Sequence, residues 1–319
     1  MKARDPKRGT RSKREPDASD LQRLVTEKPN SASIDLDCKS SLEIVRIINR
    51  EDAKVAGAVA RAIPQIAQAI DWIAAALSGG GRLIYVGTGT SGRIAALDAA
   101  ECPPTFNTNR RMVQFIMAGG SKALAEATEA SEDSRSLGRS EMAKKNPCSN
   151  DVIVGVAASG RTPFTIAAIE YARSHGARTV AVVCNRNSPL ERAAHVAIVA
   201  EVGPEVVTGS TRMKAGTAQK MILNTLSTGA MTRLGYVYGN LMVNLRLKNE
   251  KLAERGIGIL EKAAGVSRAE ARRLLKAAHH NVPVALVMAK SEVRRARAID
   301  ALKQSRGHVR KAIELARPS

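Results

Sequence analysis

Five short apolar runs, RLIYV (82–86), MVQFIM (112–117), DVIVGV (151–156), RTVAVV (178–183) and HVAIV (195–199), alternate with helical segments through the middle of the chain. Runs this short, rich in β-branched residues and apolar at nearly every position, read as strands buried on both faces by the crossover helices that parallel pairing requires. The expected architecture is α/β, a doubly wound five-stranded parallel sheet of flavodoxin-like type. Apolar positions also recur at helical spacing from Ser40 to Leu77, where Gly79-Gly80-Gly81 marks the stop, so two N-terminal helices precede the first strand. Beyond residue 200 the pattern turns helical and ends in what reads as a bundle of about three short helices. Three units are expected: a disordered basic arm over 1–21, an α/β domain with flanking helices over 22–260, and a small helical C-terminal domain over 261–319.

The chain of 319 residues carries a formal net charge of +20, and where that charge lies decides what it means. Residues 1–23 hold a net +4 and residues 262–319 a net +10, leaving +6 for the stretch between. A modest positive excess around a central domain suits an anionic substrate and equally suits solubility, and basic ends do not make a nucleic-acid protein. Cys38, Cys102, Cys148 and Cys184 lie far apart with no C-x-x-C pair, so neither a disulfide framework nor a zinc site is indicated. No apolar stretch is long enough to span a membrane and the charged first twenty residues are unlike a secretory signal, so a cytoplasmic protein is expected.

Ligands of open α/β sheets bind beyond the carboxyl ends of the strands, where strand order reverses. In a flavodoxin-like order the loops after the first and third strands flank that crevice. Here they are Gly87-Thr88-Gly89-Thr90-Ser91-Gly92-Arg93 and Ala158-Ser159-Gly160-Arg161-Thr162-Pro163, each running into a helix. Small residues let backbone N–H groups approach an anion at a helix N-terminus, and hydroxyls add donors, so a phosphate is expected to contact Thr90, Ser91, Gly92, Ser159, Gly160, Arg161 and Thr162. The first loop fits G-x-G-x-x-G, but the second strand ends in Ala118-Gly119-Gly120 rather than the acidic residue that holds a ribose, and no P-loop is present. Dinucleotide and ATP chemistry are not supported.

From Leu24 to about Leu260 the chain resembles the N-acetylmuramic acid 6-phosphate etherases of the sugar isomerase (SIS) superfamily. The resemblance rests on TEKPNSAS (26–33), GGGRLIYVGTGTSGRIAALDAAECPPTF (79–106), EASEDS (129–134), VGVAASGRTPF (154–164) and VVTGSTRMKAGTAQK (206–220). It implies the SIS fold, a homodimer, no metal or organic cofactor, and conversion of N-acetylmuramic acid 6-phosphate and water to N-acetylglucosamine 6-phosphate and D-lactate. By motif match it implies Glu101, of ECPPT, and Glu132, of SEDS, as the catalytic pair. The segment Thr208–Lys214 is expected near the sugar, with Ser210, Thr211 and Lys214 as contacts.

The lactyl ether lies β to the aldehyde exposed when the sugar ring opens, so elimination is available. A base takes the carbon 2 proton, an acid protonates the departing lactate oxygen, and water adds to the alkene; two carboxyl groups can divide this work. Glu101 is expected to be the acid and Glu132 the base or its assistant, with Glu101 closing a helix that Pro103 and Pro104 halt and both groups facing the crevice. Three other readings use the same frame: a sugar-phosphate isomerase, a non-catalytic sugar-phosphate sensor, and a transcription regulator whose basic helices touch DNA.

Overall fold

A computed structural model describes residues 24–126, 131–245, 247 and 250–317; the arm expected over 1–21 lies outside the described residues. Helix α1 (Ser41–Ala60) starts at a capping box in which the Ser40 hydroxyl accepts from Glu43 N–H and the Glu43 carboxylate accepts from Ser40 N–H. Helix α2 (Ile63–Ser78) follows after a two-residue break, with Pro64 in its first turn.

The strands are β1 (Leu83–Gly87), β2 (Val113–Met117), β3 (Val152–Val156), β4 (Arg178–Val183) and β5 (Val196–Val199), all where the apolar runs predicted them. They pair in parallel in the order β2-β1-β3-β4-β5, so the switch point falls between β1 and β3. The helices between and after them are α3 (Gly89–Phe106), α4 (Arg135–Ala143), α5 (Pro163–Ser174), α6 (Pro189–Ala193) and α7 (Lys214–Arg233). Alternate strand residues feed two cores: Leu83, Tyr85 and Val154 pack under α1, α2, α3 and α7, while Ile84, Val86 and Ile153 pack under α4, α5 and α6.

Three sequence expectations need correction. Pro103 and Pro104 do not halt α3; the helix runs on to Phe106 and ends at Asn107, whose φ is 54°. Cys102 and Phe106, buried in the core, hold that last turn in place despite the lost N–H donors. Next, the C-terminal core begins at Val243 rather than at residue 261, because helix α8 (Glu250–Ala264) turns Ile257, Ile259 and Leu260 into it. Finally, the short helices that follow number four, against the three or so expected: α9 (Arg268–Ala277), α10 (Val282–Ser291), α11 (Arg295–Gln304) and α12 (Val309–Ala316). No helix among the described residues is long and apolar enough to cross a membrane.

Candidate functional site

Beyond the carboxyl ends of β1 and β3 the two hydroxyl-bearing loops face each other. Gly89 turns the first loop with φ +49°, and Gly92 N–H donates to Thr88 C=O at 2.9 Å to open α3. In the second loop Gly160 has φ +65°, and a Cβ there would lie 2.3 Å from the Ser188 hydroxyl, so only glycine fits. Arg161 N–H donates to Ser159 Oγ at 3.2 Å, and Thr162 precedes α5 without using its hydroxyl as a cap. Each loop thus delivers a helix N-terminus and hydroxyls to one crevice.

Glu132 joins the two loops. Its carbonyl accepts from Phe164 N–H at 3.1 Å, in the first turn of α5, and its Oε1 lies 3.2 Å from where a Cβ on Gly89 would be. The short turn that carries it is fixed by α4, whose Gly138 leaves room for the Phe164 carbonyl 2.1 Å from an added Cβ. Glu132 is thus anchored to α5 through its main chain, while its half-buried side chain stands beside Gly89 of the first loop.

Glu101 is elsewhere. It is exposed near the far end of α3, twelve residues beyond Gly89, which places it about 18 Å down the helix axis. Its neighbours Ala100, Pro103 and Pro104 line a groove shared with Arg82, at the amino end of β1. The expectation that both glutamates of one chain face the same crevice is therefore corrected: only Glu132 does. Under that part of α3 Asp98 is buried, accepting from Tyr85 Oη at 2.8 Å and Ser227 Oγ at 3.0 Å, and burial pushes its carboxyl up to about 6 against those hydrogen bonds.

The segment 208–216 closes the crevice from a third side, since Gly216 passes 3.5 Å, measured from an added Cβ, from the Thr90 methyl. Ser210 and Thr211 lie on this segment. Lys214, expected to meet the ligand, does not reach it: its side chain is 1% exposed and its Nζ donates to Glu51 Oε2 at 2.6 Å. Burial alone would raise the Glu51 carboxyl, but hydrogen bonds from Lys214, Lys54 and Asn30 outweigh it and hold the group down at about 2. Glu205, fully buried, accepts from Lys214 N–H at 3.0 Å and Ala215 N–H at 2.9 Å, so a carboxylate of the protein already fills the anion position at the start of α7. Burial holds Glu205 above its ordinary range.

Sequence reasoning missed Gln219. Its side chain is buried, Ser91 Oγ lies 2.9 Å from its Oε1, and its Nε2 has no partner among the described residues. Ser91 donates its hydroxyl to that oxygen, so Gln219 fixes the orientation of the Ser91 side chain at the start of α3. Gln219→Ala is expected to raise KM about tenfold with little change in kcat, the signature of a lost ground-state hydrogen bond, read in steady-state kinetics. An unchanged KM would remove Gln219 from the binding machinery. The TEKPNSAS segment also positions the second loop: Val25 N–H, just before it, donates to Asn185 Oδ1, and Asn185 Nδ2 donates to the Thr26 hydroxyl and to Ala158 C=O, each at 3.1 Å.

A parallel sheet of this order, with two hydroxyl-bearing helix starts meeting at its switch point, defines a protein of the SIS class. Family models agree along the chain: the glucokinase regulatory protein N-terminal SIS domain matches residues 65–173, the SIS domain 139–228, and the C-terminal lid domain of glucokinase regulatory protein 239–281. Within that class the chain belongs to the N-acetylmuramic acid 6-phosphate etherases. The etherase of Clostridium beijerinckii is 49% identical over 294 residues, covering 92% of this chain and 97% of its own. That of Aeromonas hydrophila is 51% identical over 269 residues, covering 84% and 90%. Among solved structures, a phosphoheptose isomerase from Francisella tularensis is 19% identical with a TM-score of 0.48, over 61% of this chain and 100% of its own.

Proposed function

We propose that this chain cleaves the D-lactyl ether of N-acetylmuramic acid 6-phosphate, giving N-acetylglucosamine 6-phosphate and D-lactate, as a cytoplasmic homodimer that uses acid and base groups of the protein and no metal or organic cofactor. The observation that carries the reading is the placement of Glu132 against the first anion loop, in a chain about half identical to curated etherases over nearly its whole length. The phosphate is assigned to Thr90, Ser91 and Gly92 at the start of α3 and to Ser159, Gly160, Arg161 and Thr162 at the start of α5, with Ser210 and Thr211 beside the sugar. Lys214 acts indirectly, by fixing the start of α7.

The reaction balances without an added reagent. The carbon 2 proton leaves to a carboxylate, the bond from carbon 3 to the lactyl oxygen breaks as that oxygen is protonated, and water then adds its hydroxyl to carbon 3 and a proton to carbon 2. Glu132 is assigned to the carbon 2 proton or to holding the open-chain sugar for its removal, and Glu101 to the departing oxygen and the incoming water.

The test is incubation of the purified protein with N-acetylmuramic acid 6-phosphate, without added metal or nucleotide, followed by assay of free D-lactate. Turnover is expected. Binding of the sugar phosphate with no lactate would instead indicate a sensor, and an aldose–ketose exchange without lactate an isomerase.

A further inference from the structure

We infer that the protein carries a second anion site, remote from the crevice: a basic groove at the amino ends of β1 and β2 that takes the phosphate groups of a small molecule. It is independent of the proposed reaction. The groove encloses about 1680 Å³ along the last turn of α3, between the turn that leads into β2 and the residues that follow α4. Arg82, Arg110, Arg111, Lys144 and Lys145 line it, and no acidic side chain does. Strands of five residues, about 16 Å long, separate it from the loop against which Glu132 stands. Glu101 does not line it.

The charges in the groove are not balanced by the protein. Arg82 pairs with Asp151 and Lys144 with Glu141, each at 2.5 Å, but Arg110, Arg111 and Lys145 form no ion pair among the described residues. Lys145 is the most informative of these. It is half-buried, and its Nζ donates to the neutral Gln114 Oε1 at 3.0 Å. Burial, with the Arg82 charge adding to it, holds the ammonium below its ordinary range although Glu141 pulls the other way. An anion beside Lys145 would relieve that repulsion. Thr108 gives a second and independent sign: it lines the groove, is 9% exposed, and its hydroxyl has no partner among the described residues. Buried hydroxyls are normally paired, and this one is free to donate to an oxyanion. The turn that carries these groups is already fixed, because Asn109 Oδ1 accepts from Arg111 N–H and Asn109 C=O accepts from Met112 N–H, both at 2.9 Å. Binding therefore costs little ordering of the backbone. Three uncompensated cations, two of them arginines, match the two or three negative charges of a phosphate monoester or a diphosphate.

The probe is inorganic pyrophosphate, and the readout is amide hydrogen exchange of the full-length protein resolved by peptide, which separates this groove from the crevice. Millimolar pyrophosphate should slow exchange over residues 107–115 and 144–152, by up to about tenfold when the ligand stands at ten times its Kd. Arg111→Ser and Lys145→Met should each abolish that slowing. Lys276→Met, which removes one charge from an exposed position in the C-terminal domain, should leave it intact. No slowing in the wild type, or equal slowing in the Arg111 and Lys145 variants, would overturn the site. Thr108→Val keeps the shape of the side chain and removes the unpaired hydroxyl, so it should raise the melting temperature of the free protein and weaken pyrophosphate about fivefold. A lower melting temperature with unchanged binding would mean that the hydroxyl serves the fold, and would also count against the site. Lactate release does not enter this test, so its outcome stands apart from that of the proposed reaction.

Discussion

Glu101→Gln should lower kcat/KM for D-lactate release by about three orders of magnitude, within the range that removal of a positioned acid or base produces. The loss should come without unfolding, because Glu101 is exposed and the helix is anchored from its other face by Asp98, Cys102 and Phe106. Chemistry separates the two carboxylates further. An amide cannot protonate the lactyl oxygen, so the ether bond survives, but the carbon 2 proton can still be taken if Glu132 is the base. Incubation in deuterium oxide should therefore label carbon 2 of the unreacted substrate in the Glu101→Gln protein, as read by proton NMR. Glu132→Gln should lose both labelling and lactate. Loss of labelling in both variants would mean that a single group, Glu101, works on both atoms, and that Glu132 only holds the sugar.

The sheet was legible because its signal is local. Five runs such as Val152–Val156, buried at every position, announce parallel strands without reference to anything distant, and the strand order fixes which two loops meet. The two glycine loops at the switch point were legible for the same reason: Gly89 and Gly160 are needed where they stand by φ and by close approach. What escaped was non-local. Nothing near Ser91 announces that Gln219, 128 residues on, will meet its hydroxyl, and nothing near Lys214 announces Glu51. A lysine beside a run of hydroxyl residues reads as a ligand contact until the fold sends its side chain inward. The glutamates illustrate a third limit. Motif resemblance assigns both to one reaction, but the geometry that separates them by most of a helix appears only with coordinates.

Lys214→Met should be the most destabilising single change considered, costing about 3–5 kcal/mol, because it leaves the buried Glu51 carboxylate without the buried one of its two cations. Glu51 retains Lys54 and Asn30, so the protein should still fold, with a melting temperature lower by roughly 10 °C. The pH dependence tests the cause. In the folded wild type the Glu51 carboxyl sits at about 2, below the ordinary 4.5, so the folded state favours the charged form. The stability this contributes, about 3 kcal/mol, is complete above pH 4.5 and is lost as pH falls toward 2. Without Lys214 the carboxyl should titrate at higher pH, and protonation should relieve the buried charge. Urea denaturation at pH 7 and at pH 4 should therefore show the gap between wild type and Lys214→Met narrowing as pH falls. A gap independent of pH would assign the loss to packing of the lysine stem rather than to charge. Function should follow the same pair: Lys214 begins α7, and Gln219 lies little more than one turn further on, so a loosened helix start should release Ser91 and raise KM even where the variant remains folded.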